Sequence, residues 1–194
     1  KAVPVTELPD EPVKVTIGMY GNTDFFGIKG IVEHTLETLG IKDAEFVPDK
    51  EIYWMHPGRT ADVFIGGKKA GYLGELHPEV AKNYEIGTRV YIAVLDEESL
   101  IQASNLLTVY KPLPKYPAIV RDISMLVKDD IYVRDLEKAI EENSGSLVED
   151  ITLFDVYKGG QIAEGYKSVS FSITFRAEDR TLVDNDVNSV MTDI

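Results

Sequence analysis

The sequence predicts an α+β protein of two modules, each a mostly antiparallel sheet with helices. Three observations carry that reading. Apolar residues alternate with polar or small ones at Val13, Val15, Ile17 and Met19, and again at Val169, Phe171, Ile173 and Phe175, as in half-buried strands. Apolar residues recur at three- and four-residue intervals over 25–39 and 183–194, as on one face of a helix. Between these halves, Lys111-Pro112-Leu113-Pro114-Lys115-Tyr116-Pro117 places three prolines in seven residues, which forces an extended surface path. The modules are therefore placed at 1–108 and 109–194.

Composition narrows the function classes. The 194 residues carry 20 Lys+Arg against 33 Asp+Glu, a net charge of −13, with 44% hydrophobic residues and no cysteine. That is the composition of a globular chain, and it excludes disulfides, thiolate nucleophiles and Cys-ligated zinc. No stretch approaches 18 consecutive apolar residues and the first residues lack a signal-peptide pattern, so the expectation is a cytoplasmic protein with no membrane partner. Ten cations against seventeen acids give −7 for the first module, and ten against sixteen give −6 for the second. Any nucleic-acid contact must then come from a local basic patch.

In chain order, the strand at Val13–Met19 leads into a helix carrying Phe25, Ile28, Ile31, Val32, Leu36 and Leu39, with Asp24 as N-cap and Gly40 at the left-handed C-terminal position. Residues 61–65 and 70–74 around Gly66-Gly67-Lys68-Lys69 form a hairpin. Pro78 opens a short helix, residues 89–95 are apolar on both faces like a central strand, and Asp96 caps another short helix. In the second module the strands are 119–128, 147–157 and one alternating Val169, Phe171, Ile173 and Phe175 against Ser168, Ser170, Ser172 and Thr174. A helix with Val133, Leu136, Ala139 and Ile140 ends at Gly145, and Thr181-Leu182-Val183-Asp184 has the spacing of a capping box opening a last helix. The order strand, helix, strand, strand, helix is the ferredoxin-like split βαβ motif without its last strand. The polypeptide is accordingly expected to continue beyond Ile194.

No P-loop, dinucleotide fingerprint or HExxH is present. His34, His56 and His77 are dispersed, and His56-Pro57 and His77-Pro78 read as turns rather than metal or triad positions. Asp184-Asn185-Asp186 imitates an EF-hand opening, but Ser189 replaces the required glycine and the apolar spacing demands helix. No catalytic set and no metal site are assigned. From Tyr110 to Arg121 the chain has Lys111, Lys115, Arg121 and two tyrosines but no acid. Cations interleaved with aromatics suit single-stranded RNA, but composition alone favours a Pro-rich linker with snorkelling lysines.

The string from Pro114 to Ser124, with Leu153-Phe154-Asp155-Val156-Tyr157, Lys167-Ser168, Thr174-Phe175-Arg176 and Asp179-Arg180-Thr181-Leu182, resembles the ferredoxin-fold anticodon-binding domain of bacterial phenylalanyl-tRNA synthetase β subunits. In the first module, the segments Phe25 to Glu33, His56 to Ala61 and Gly74 to Val80 resemble that family's class II synthetase-like module, which copies the catalytic fold without its active site. Two departures accompany the resemblance: the family's fourth strand and its N-terminal editing and tRNA-binding modules are not in this sequence, so the chain reads as a C-terminal fragment.

The resemblance implies a non-catalytic part of phenylalanine–tRNA ligase. ATP and magnesium would serve the parent complex, an α2β2 heterotetramer whose α subunit does the chemistry, with no cofactor in this chain. The first module would scaffold the α subunit and the second would hold the anticodon stem-loop of phenylalanine tRNA. Lys111, Lys115 and Arg121 would neutralise phosphates while Tyr116 packs or stacks, with Lys158 and Arg180 as further contacts. The serine face of the sheet lacks stacking aromatics, so loops and edges are expected to make the contact. Two alternatives stand beside this: a ferredoxin-like regulatory module binding a free amino acid near Gly159-Gly160, and a hydrolase using His56, Asp62 and a serine.

Overall fold

The computed structural model describes residues 11–107, 109–110, 112–160 and 162–194. The chain divides into two compact units, Lys1–Val109 and Tyr110–Ile194. In the first, β1 (Lys14–Tyr20), β2 (Ala44–Pro48), β3 (Met55–Ile65), β4 (Lys68–Leu76) and β5 (Val90–Asp96) form one antiparallel sheet in the order β1-β5-β4-β3-β2. The strand apolar on both faces is β5, and it lies between β1 and β4. Helix α1 (Phe25–Thr38) packs on β4 and β5 through the buried stripe Ile28, Val32 and Leu36. Asp24 accepts the Gly27 N–H at 2.9 Å, and Gly40 ends the helix at φ +72°.

The hairpin β3–β4 is longer, and its turn tighter, than the sequence reading gave. Gly66 and Gly67, at φ +54° and +74°, close it as a two-residue turn, which leaves Lys68 and Lys69 in the strand. His56-Pro57 is not a turn but sits in a bulge of β3, where the register jumps from Met55↔Leu76 to Thr60↔Gly74. His56 Nδ1 there accepts the Gly58 N–H at 3.0 Å. The strand β2 was not anticipated. His77 does cap α2 (Pro78–Asn83), its Nδ1 accepting from Glu79 N–H.

Two capping details make stability predictions. After α2, Glu85 occupies the left-handed region at φ +57° while its N–H reaches the Lys82 carbonyl at 3.0 Å. A Cβ strains that conformation, so Glu85→Gly is expected to raise the unfolding free energy by about 0.5 kcal/mol, read from denaturant melts. At the start of α3 (Glu97–Ala103), the Lys14 ammonium 2.6 Å away, followed by the Ser99 hydroxyl and N–H, holds the Asp96 carboxyl down to about 2 from 3.8. A carboxyl depressed in the folded state adds stability that is present above its unfolded pKa and lost as pH falls towards the folded one. Asp96→Asn should therefore flatten the acid limb of first-unit unfolding between about pH 4 and pH 2; an unchanged limb would remove Asp96 from the acid response.

The second unit is a three-stranded antiparallel sheet, β6 (Ile119–Lys128), β7 (Val148–Tyr157) and β8 (Tyr166–Phe175), in the order β6-β8-β7, with α4 (Val133–Asn143) and α5 (Asp184–Asp193). Val169, Phe171, Ile173 and Phe175 of β8 are fully buried, and Ile140, Leu182 and Val187 close on them. The β8 serines face the other way, and Ser124 and Ser170 hydroxyls meet at 2.8 Å. The last helix starts later than its sequence suggests. Thr181 is not its N-cap: Leu182 is buried in the core, and Val183, with an extended backbone, precedes the first turn. Asp186, not Asp184, takes the Val183 N–H at 3.1 Å, and valine offers no acceptor in return.

Candidate nucleic-acid interface

The strand register decides which candidate residues meet. Because β6 and β8 are antiparallel, Ile119 at the start of β6 lies opposite Phe175 at the end of β8, beside Val148 at the start of β7. At this end of the sheet Arg121 and Arg180 pair with the first turn of α5, and Tyr116, the chain neighbour of Lys115, is held through its carbonyl by Arg176 just after β8. Arg121, two residues into β6, reaches Asp184 of that turn at 2.7 Å, rather than its neighbour Asp122. Arg180 lies 3.5 Å from Asp186 and 3.6 Å from Asp179. Lys115 is exposed and has no ion pair among the described residues. Tyr116 is half-buried.

The sequence reading passed over the residue that fastens this end together. Arg176, directly after β8, donates to the Tyr116 carbonyl and, at 2.8 Å, to Glu149 of β7. It ties the proline-rich segment to the sheet and so fixes where Lys115 emerges. Its signal was present in Thr174-Phe175-Arg176, but the partner, 60 positions away, is visible only in the fold.

Lys158 is not part of this cluster. It follows β7 at the opposite end of the sheet and pairs with Asp129 at 2.9 Å, about 30 Å away along a ten-residue strand. Lys111 lies outside the described residues.

The cations at the gathered end are poised for exchange rather than locked. Arg121–Asp184 and Arg180–Asp186 are exposed pairs, whose net worth is small because water screens them and ordering two long side chains costs entropy. Both pairs leave their guanidinium groups accessible to solvent, while Asp186 also accepts the Val183 N–H. The open sheet face is different: contrary to the expectation that it lacks aromatics it carries Tyr157 and Tyr166 at one end, but beside its serines it presents Asp122, Asp150 and Asp155, and only Lys128 as a cation on the strands. That arrangement repels a phosphate backbone.

The other candidate chemistries find no assembled site. His56 Nδ1 accepts the Gly58 N–H, one Asp62 oxygen holds Lys69 at 2.7 Å, and the other Asp62 oxygen is buried without a hydrogen-bond partner among the described residues, so no hydrogen bond joins His56 to Asp62. A hollow of about 350 Å³ in the second unit is lined by Glu141, Glu149 and Asp150, which would repel an amino-acid carboxylate, and it does not include Gly159 or Gly160. No group of three metal-ligating side chains occurs among the described residues, and no described helix is long and apolar enough to cross a membrane.

The ferredoxin-fold anticodon binding domain matches residues 114–194, and the phenylalanyl tRNA synthetase beta chain CLM domain matches residues 1–96. The phenylalanine–tRNA ligase beta subunit of Clostridium acetobutylicum is 45% identical over 184 residues, covering 95% of this chain and 23% of the relative. That of Clostridium tetani is 45% identical over 183 residues, covering 94% and 23%. That of Symbiobacterium thermophilum is 42% identical over 196 residues, covering 95% and 22%. The chain thus spans about a quarter of the length of these curated relatives.

Proposed function

The chain belongs to the phenylalanyl-tRNA synthetase β-chain family, and we propose that its second unit holds the anticodon stem-loop of phenylalanine tRNA while its first unit is a non-catalytic scaffold for the α subunit of an α2β2 assembly. The observation that carries the RNA contact is the gathering of Lys115, Tyr116, Arg121 and Arg180 at one end of an otherwise acidic domain. Lys115 neutralises a backbone phosphate directly; Arg121 and Arg180 do so by exchanging Asp184 and Asp186 for phosphate oxygens. Tyr116 supplies a ring edge against which a nucleotide packs. Arg176 is a positioning residue, acting through the Tyr116 carbonyl.

ATP and magnesium belong to the α subunit in this reading. In the first unit, a hollow of about 400 Å³ lies against β4 and β5, but the two lysines that line it, Lys14 and Lys69, are held by Asp96 and Asp62 at 2.6 and 2.7 Å. Those residues do not fit a triphosphate. The scaffold role is supported by α1, which turns Phe26 and Ile31 to solvent beside Gly30. Exposed apolar side chains on a helix whose opposite stripe is buried suit contact with a partner.

The test is binding of this chain to phenylalanine tRNA and to a non-cognate tRNA over a salt series. Tighter cognate binding that weakens as salt rises supports the proposal. Equal affinity for both tRNAs would reduce it to non-specific attraction, and no binding at low salt would defeat it for this chain.

A further inference from the structure

Two arginines of the first unit converge on one buried carboxylate. The Glu75 side chain, near the end of β4, is only 4% exposed, whereas those of Arg59 and Arg89 are 39% and 64% exposed. Arg59 leaves the β3 bulge and donates from Nη1 to Glu75 Oε2 at 2.8 Å, and the Tyr91 hydroxyl donates to the same oxygen at 3.2 Å. Arg89, just before β5, approaches the other oxygen, its Nε standing 3.7 Å from Oε1. That is an ion contact, too long for a hydrogen bond. Among the described residues the Arg89 guanidinium makes no hydrogen bond, and that of Arg59 uses a single nitrogen. Most of the donors in the two forks are therefore unused.

Charge does not balance within the cluster. Glu75 sets one negative charge against two guanidinium groups, so one positive charge is left over in a module whose net charge is negative. Holding Glu75 does not account for Arg89. Arg59 and Tyr91 already satisfy that carboxylate at hydrogen-bond distance, and a long, exposed contact adds little to them. Glu75 in turn anchors Arg59 by one nitrogen, so an arriving anion meets a guanidinium whose side-chain freedom is already reduced.

We propose that Arg59 and Arg89 form a phosphate-binding site, with Glu75 as the residue that positions Arg59. A guanidinium fork matches the spacing of phosphate oxygens. Because the two forks meet the two oxygens of one carboxylate, they lie close enough for a single group to engage both. A tetrahedral phosphate offers oxygens to both at once, whereas one fork satisfies a planar carboxylate, and an uncharged ligand leaves the spare charge unmatched. A free phosphate compound and an RNA backbone present the same chemistry to these arginines.

The test titrates the 194-residue chain, labelled with 15N, with inorganic pyrophosphate at constant ionic strength, following the Nε–H resonances of Arg59 and Arg89. Both are expected to shift along one saturable curve. Arg89→Gln should weaken the affinity about tenfold or more, as read from the Arg59 resonance. Arg89 is exposed and makes no hydrogen bond, so the unfolding followed by Trp54 fluorescence should be unchanged in this variant. Lys68→Gln, at the other end of β4, should leave the affinity as it is. A second titration adds a short oligouridylate to the chain carrying Lys115→Glu and Arg121→Glu, which removes the cations of the RNA reading from the measurement. Saturable shifts of the same two resonances would identify an RNA backbone as the ligand; shifts with pyrophosphate alone would identify a free phosphate compound. Shifts that rise linearly with both probes, or an affinity indifferent to Arg89→Gln, overturn the proposal.

Discussion

Lys115→Glu with Arg121→Glu is expected to lower the affinity for phenylalanine tRNA by about ten- to a hundred-fold near 0.1 M salt, and to reduce the slope of log affinity against log salt by about one to two. Lys115 should account for most of the slope, because it has no carboxylate to release. Arg121 must leave Asp184 before it takes a phosphate, and Asp184 then recruits a cation from solution, which offsets part of the counterion release. Asp184→Asn should accordingly tighten binding, since Arg121 no longer has an internal competitor. Lys158→Glu is the control: at the far end of the sheet it should change affinity less than threefold. Unchanged affinity in the Lys115/Arg121 variant, or a larger loss from Lys158→Glu, would move the interface away from the α5 end.

Arg59→Met is expected to cost the first unit about 3 kcal/mol. Glu75 is buried on the core side of β4, its side chain 4% exposed. It accepts from Arg59 at 2.8 Å and from the Tyr91 hydroxyl at 3.2 Å, while Arg89 stands at 3.7 Å. The β3 bulge at 56–59 is what brings Arg59 over this carboxylate. Removing the guanidinium leaves a buried charge with one neutral donor and one distant cation, and that loss exceeds what an exposed pair could contribute. Trp54 is the single tryptophan and lies in this unit, so its fluorescence follows first-unit unfolding selectively. Adding Glu75→Gln should recover part of the loss, because the amide is neutral and still accepts from Tyr91. A double variant no more stable than Arg59→Met would show that Arg59 acts through its own packing.

Much of the fold is legible in the sequence where burial imposes a strict period. The β8 alternation and the α1 stripe each announce one buried face, and the two-sided apolar run at 90–95 announces a central strand. The sequence is less informative where a local rule is overridden. Residues 44–48 include Glu45 and end in Pro48, so β2 has no clean alternation; it exists because β3 offers it an edge. The β3 strand runs on through His56-Pro57-Gly58, which read as a turn, because a bulge absorbs the irregularity. At α5 the burial of Leu182 outweighs a well-spaced capping sequence. The candidate site divides the same way. Its cations stand out in an acidic chain, but their partners do not: Asp184 is 63 positions from Arg121, and whether Lys158 joins or leaves the cluster depends on which end of a strand it follows.

The acidic sheet face has a kinetic consequence for the proposed role. An RNA that diffuses up to Asp122, Asp150 and Asp155 meets a repulsive field, whereas one that approaches the α5 end meets Lys115 and two exchangeable guanidinium groups. Encounters are thus sorted by orientation before any contact forms, and the unproductive ones dissociate without occupying the surface. Neutralising the three aspartates should then raise the rate of arrival for tRNA of any sequence while eroding the preference for the cognate one. In that sense the negative charge of the domain acts as a filter on approach as much as a barrier to binding.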